Sequence, residues 1–200
     1  MDKKPKISIV VPIHPMKNGA YFLWRNIQSI VTQTFNDYEI IITQEGKMAE
    51  NTNEGIRRAR GELIKVLYLD DYFAHEKALQ IIVDNFKESD DWLVTGCLHQ
   101  QTGLDPHTPH YPTWNHDMNM GNNTIGSPSV LTIRNLGHLL FDERLSWVLD
   151  CDLYSRYYEM YGAPKIVNDL NVIIGLGEHQ TTHVLSDEQK LLEVAYLRQK

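Results

Sequence analysis

The chain has 200 residues, 42% of them hydrophobic and 22% charged, with a formal net charge of −7. That balance suits one globular domain with a real core, and ten Tyr, five Phe and four Trp exclude a disordered chain. The negative charge removes any general electrostatic case for nucleic acid or an anionic membrane, although a divalent cation can still bridge an acidic protein to a phosphate compound.

The N-terminal stretch MDKKPKISIVVPIHP sets basic residues before a short apolar run that Pro12 ends. The run is too short for a spanning helix and no small-residue cleavage site follows, so a soluble, cytoplasmic protein is expected. Residues 7–13, ISIVVPI, form a continuous β-branched run, as in a strand covered on both faces. Residues 20–33 place Phe22, Leu23, Ile27, Ile30 and Val31 at helical spacing. YEIIIT, 38–43, reads as a second buried strand, and 48–61 as a helix closed by Gly61. ELIKVLYL, 62–69, is the third strand, 75–89 an amphipathic helix, and 91–98 the fourth strand. This alternation predicts an α/β fold with a parallel sheet and right-handed crossovers. Ligands in such sheets bind beyond the carboxyl ends of the strands. Pro12 to His14, Gln44 with Glu45, and Asp70 with Asp71 fall there.

The pattern then changes. Residues 99–126 hold three Pro and four His, and a loop this long reads as a binding loop. Residues 127–135 read as a strand, 145–162 as a helix ended by Gly162, and 165–177 as one or two short strands. A terminal helix, 187–199, has Ser186 as its N-cap. With no internal repeat and no low-complexity linker, residues 1–200 are expected to form one domain. Cys97 and Cys151 make no framework or metal motif and are expected to be buried thiols.

Asp70 and Asp71 stand between the apolar run VLYL and the aromatic pair Tyr72-Phe73. Adjacent carboxylates after a strand either cap the next helix or are kept ionised by a cation. Mg²⁺ and Mn²⁺ prefer oxygen ligands and share their coordination with substrate phosphates. Asp150 and Asp152 lie two apart on a helix, so only one faces a given crevice. His107, His110 and His116 lie in a Pro-rich loop without a nearby cysteine, a poor pattern for structural zinc.

Gln33-Thr34-Phe35, Glu39-Ile40-Ile41, Asn53, Gly55-Ile56, Ala59, Gly61-Glu62 and Asp70-Asp71, in that order and spacing, resemble the nucleotide-binding half of the family 2 glycosyltransferases with the GT-A fold. The stretches NTIGSPSVLTIRN and FDERLSWVLDCDLYSRYYEMYG are similar to the acceptor-side half, so the resemblance covers residues 6–185. It implies a Rossmann-like, mostly parallel central sheet flanked by helices, with a small antiparallel acceptor-side element. Residues 1–98 would be the nucleotide-sugar-binding half and 99–200 the acceptor-side half. It further implies an inverting, Mn²⁺- or Mg²⁺-dependent transfer of a hexose from a nucleotide-diphospho-sugar, such as UDP-glucose, to a hydroxyl of a glycan or lipid-linked acceptor.

By that resemblance Asp150 is the catalytic base, with Asp152 paired to Arg156 behind it. Pro12, Ile13, His14, Gln44, Glu45, Asn53, Arg57, Leu69, Asp70 and Ser127 would bind the nucleotide-sugar. Asp70, Asp71, His179 and His183 are the metal-ligand candidates. Arg57, Arg58 and Arg60 face either phosphate or solvent. The stretch 122–129 would floor the donor sugar, and Trp114 and Trp147 would offer a stacking platform. Three positions depart from the family pattern: Gln44 replaces an acid, Tyr68 replaces the first Asp of D-x-D, and His14 replaces a common Tyr. The chain is short for the family and shows no C-terminal extension. The acceptor site is therefore expected from residues 99–126 and the last helix, or from a second subunit of a homodimer. Two rival readings stand beside this one. Tyr68 and Gln44 suit a non-catalytic sugar-nucleotide binder. A nucleotidyltransferase shares the sheet-end acids but wants a Gly-rich basic loop, where PIHPMKNG has one Gly and one Lys.

Overall fold

A computed structural model describes residues 3–101, 103–137 and 139–200. The predicted alternation is present: β1 (Ile7–Pro12), α1 (Gly19–Val31), β2 (Tyr38–Thr43), α2 (Met48–Arg58) and β3 (Leu63–Val66) follow one another. Every residue of β1 and β3 is buried, which is why their sequences run apolar without alternating. Then come β4 (Tyr72–Phe73), α3 (Ala78–Asn85), β5 (Trp92–Gln101), β6 (Thr108–His110) and β7 (Leu131–Arg134). The chain finishes with α4 (Leu149–Tyr161), β8 (Lys165–Leu176), α5 (Thr181–Val184) and α6 (Asp187–Leu197).

One sheet holds all these strands in the order β2-β1-β3-β7-β5-β8-β4, with β6 on β5. β1, β2, β3, β5 and β8 run one way, and β4, β6 and β7 run against them. The antiparallel element is built into the sheet, since β7 lies between β3 and β5. Among the described residues, no helix is long and apolar enough to cross a membrane. Cys97 and Cys151 are free and buried.

Several boundaries differ from the sequence expectation. The second helix stops at Arg58, and Gly61 does not cap it. A Cβ on Gly61 would meet Ser8 N at 2.4 Å, so glycine is needed where the chain crosses β1. Residues 128–130 form a 3-10 turn on Ser127 rather than strand, because Pro128 has no N–H to give a ladder. The helix expected from 145 begins at Leu149, and the helix expected over 75–89 spans Ala78–Asn85. The stretch expected over 165–177 makes one long strand, Lys165–Leu176, whose register against β5 shifts at Gly96. Within 99–126 the chain forms β6 and a 3-10 turn at His116–Met120.

Candidate active site

Hydrogen bonding of the third strand to β1 ends with Leu67 N donating to Val10 O at 2.9 Å. Tyr68 to Asp71 then turn away from the sheet. That turn is clamped from α1 and from the turn before β7. Asn26, fully buried, donates to Tyr68 O and Asp71 O, both at 2.9 Å. Arg25 Nη2 donates to Asp70 O at 2.6 Å, and Tyr68 N donates to Ser129 Oγ at 2.9 Å. A readable signal for this clamp exists. Asn26 interrupts the buried stripe Phe22, Asn26, Ile30, and a polar residue there needs a partner.

The adjacent acids have different surroundings. Asp71 is buried; its Oδ1 accepts from Gly175 N at 2.9 Å, and Ser127 Oγ lies 3.5 Å from its Oδ2. Burial, reinforced by the neighbouring Asp70 charge, pushes its pKa well above the usual carboxylate value. Lys65, also fully buried, donates to Ser129 O and Leu131 O, and burial lowers its pKa to about 7 while the Asp71 charge opposes that. Asp71 thus ties the end of β3 to β8. Asp70 is the more open acid, and its Oδ2 lies 2.8 Å from His179 Nε2. That hydrogen bond raises the His179 pKa against the effect of burial.

Asp70, His179, Tyr68, Ser127 and Asp150 line one cavity of about 530 Å³ beyond the carboxyl ends of β1, β3 and β8. Asp150 lies in the first turn of α4. Its Oδ1 accepts from Cys151 N and its Oδ2 from Asn123 Nδ2, both at 2.7 Å. Burial outweighs these bonds and raises its pKa to about 6. Asn123 also accepts from Ile125 N and Gly126 N, which shapes the stretch expected to floor a sugar. Asp152 points elsewhere, buried against Arg156 at 2.6 Å and against Lys200, as the two-residue spacing predicts.

The other sequence candidates separate into groups. Ile13, His14, Gln44 and Leu69 line a neighbouring cavity of about 300 Å³, and His14 borders both cavities. Pro12 is buried at the end of β1. Glu45 is exposed, its N–H held by Asn51. Asn53 and Arg57 are not brought into the cavity. Asn53 bonds Phe141 and Glu143, while Arg57 pairs with Glu143 at 3.2 Å. Arg58 and Arg60 pair with Glu54 and Glu39, which fits a solvated face. His183 is exposed and borders a different cavity, of about 970 Å³, which shares His179. Trp147 lines the central cavity, whereas Trp114 stacks on Tyr158 at 4.0 Å and 5°.

The fit of a divalent cation follows from the donor chemistry. Among the described residues, no group of three His, Cys, Asp or Glu side chains is placed to hold a metal. Asp70 and His179 offer an oxygen and a nitrogen side by side, and Mg²⁺ or Mn²⁺ commonly takes few protein ligands and completes its shell with phosphate oxygens and water. Asp71 has its Oδ1 engaged by backbone, and His183 borders the other cavity.

No protein-family profile and no curated protein matches the sequence. Solved structures do match. S. aureus TarS 1–349 in complex with UDP-GlcNAc superposes with a TM-score of 0.66 at 15% identity, covering 96% of this chain and 65% of that one. The same protein in complex with UDP gives 0.67 at 14% identity, covering 96% and 64%. Mannosyltransferase PcManGT from Pyrobaculum calidifontis, in complex with GDP-Man and Mn²⁺, gives 0.59 at 11% identity, covering 89% and 59%. The chain has a glycosyltransferase fold. It spans a little under two thirds of the length of each of these structures. At such identities the likeness carries the fold, and function has to be argued from the site.

Proposed function

We propose that the protein is an inverting glycosyltransferase of the family 2 type. It moves a hexose from a UDP-sugar to a hydroxyl of a glycan or lipid-linked acceptor in the cytoplasm. The observation that carries this is the sharing of one cavity by the Asp70–His179 pair and by Asp150, an acid of raised proton affinity. The TarS and PcManGT complexes with nucleotide-sugars support the substrate class.

In this reading the smaller cavity around Ile13, Gln44 and Leu69 takes the base, with His14 between base and sugar. Gln44 offers an amide oxygen to a ring N–H. The first 98 residues hold the donor and residues 99–200 the acceptor, completed if necessary by a second copy of the chain. Asp150 accepts the proton of the acceptor hydroxyl as that oxygen attacks the anomeric carbon. The new carbon–oxygen bond forms as the bond to the diphosphate oxygen breaks, and the diphosphate leaves with the electron pair. No covalent enzyme intermediate is required. Asp70 and His179 would hold a divalent cation, which when bound neutralises the departing diphosphate. Such a cation would also let an anionic donor settle beside the cavity's acids.

Screening sugar nucleotides with Mn²⁺ or Mg²⁺ tests the reading. Release of UDP with transferred or hydrolysed sugar is the expected result. Pyrophosphate would instead identify a nucleotidyltransferase, and uptake without turnover a degenerate binder. Asp70→Asn should weaken Mn²⁺-dependent nucleotide binding by at least about tenfold, since even changes behind a metal ligand cost that much. Calorimetry with and without the ion measures it, and unchanged affinity would refute the role of Asp70.

A further inference from the structure

α4 carries no side-chain cap of its own, because Val148 occupies the N-cap position. The cap comes from α6 instead. Glu193 Oε1 accepts the N–H of Ser146 at 2.9 Å, and its Oε2 accepts those of Trp147 and Val148 at 2.7 and 3.2 Å. One carboxylate from a separate helix thus meets the N–H of the N-cap residue and those of the two residues that lead into it. Asp150 lies in the turn that follows, and Trp147, Val148 and Asp150 all border the central cavity. The capping helix is itself pinned. Leu197 is buried, the Tyr196 hydroxyl donates to Asp142 Oδ2 at 2.9 Å, and Lys200 pairs with Asp142 at 2.7 Å and with Asp152.

We propose that Glu193 is a positioning residue for Asp150: it fixes the start of α4 and, being a carboxylate, offsets the positive end of the helix beside the base. The inference rests on Asp150 being that base. A bare helix start favours the ionised form of an acid in its first turn and so makes it a poorer proton acceptor. A second carboxylate on the N–H groups of Ser146, Trp147 and Val148, just ahead of the Cys151 N–H that Asp150 accepts, offsets that bias. The other groups that face Asp150 are Tyr68 from the end of β3, Cys151 and Tyr154 on its own helix, and the neutral Asn123. Asp70 and Asp71 share the cavity. Asp152, the other first-turn acid, is neutralised by Arg156 and Lys200. On the side of Glu193 stands Lys190, whose amine lies 5.7 Å from the Trp147 ring and 3.5 Å from Asp187.

The test is Glu193→Gln in the full chain, read by an NMR titration of the Asp150 carboxyl and by the pH profile of kcat. The amide keeps an acceptor oxygen and size while removing the charge. The Asp150 pKa should fall by about half a unit. With it, kcat should fall about tenfold through loosening of the base, with donor KM unchanged. An unmoved titration overturns the proposal, including the case in which only the melting temperature drops, because a merely structural cap would do that. The titration decides the matter even if wild type turns over no sugar nucleotide, a result that would sink the transfer reading instead.

Discussion

Asp150→Asn should lower kcat by about 100- to 10,000-fold, the range that a positioned general base supplies. Donor affinity should stay within about twofold, because the loss is confined to the transition state. The amide has nearly the shape of the carboxylate but one acceptor oxygen where the carboxylate has two, so it can keep the bond from Cys151 N or the bond from Asn123, not both. What it cannot do is take a proton. The wild-type rate should fall as pH drops through about 6, where Asp150 becomes protonated. The variant's residual rate should lack that limb. Stability gives an independent check with a definite sign. A carboxyl with a raised folded-state pKa binds more protons when folded than when unfolded, between its ordinary value of 3.8 and about 6. Stability is therefore lost as pH rises through that window. The variant should lose this dependence. Full activity in Asp150→Asn would show that another group takes the proton.

The half of the fold before β4 was legible because β1 and β3 are covered on both faces; β2, expected to be buried, is instead a half-exposed strand at the sheet edge. Burial on both sides writes a strand as an unbroken apolar run, and one-sided burial writes α1 as a 3.6-residue stripe. Shorter pieces carry no such period. β4 has two residues, paired to β8 by Tyr72 and Phe73, and no pattern of that length can be read. Lys65 shows a different failure. The strand pattern says nothing of where its amine goes, and the backbone oxygens of Ser129 and Leu131 receive it inside the sheet. The candidate site divides in the same way. Asp70 and Asp150 were marked by their place in recognisable segments, and His179 by its resemblance alone, since 109 residues separate it from Asp70. Asn26, Asn123, Gly175 and Glu193 were not singled out. Asn26 and Glu193 act on backbone atoms remote in sequence, Gly175 supplies one, and Asn123 reaches a side chain on another element. Chain order does not encode those partners.

Gly175→Ala should damage both halves of the argument at once. Gly175 lies near the end of β8, and its N–H is the donor that holds Asp71 Oδ1. A Cβ there would sit 2.6 Å from Asp70 O and 3.2 Å from Asp70 Cβ. No flexible side-chain end is available to give way. Asp70 O is fixed by Arg25, and the flanking carbonyls of Tyr68 and Asp71 by Asn26. Either β8 or the acid-bearing turn must move. Overpacking of this kind costs about 1–3 kcal/mol. A shift of about 1 Å in a reacting constellation costs about 100-fold in rate. The variant should therefore melt earlier and lose Mn²⁺-dependent nucleotide affinity and kcat/KM together. Asp150→Asn, by contrast, should lose turnover alone. Calorimetry and thermal melting on the two variants separate the effects. Wild-type affinity and melting temperature in Gly175→Ala would mean that the turn carrying Asp70 is free to give way, and that its clamping by Arg25 and Asn26 does not set the geometry of the site.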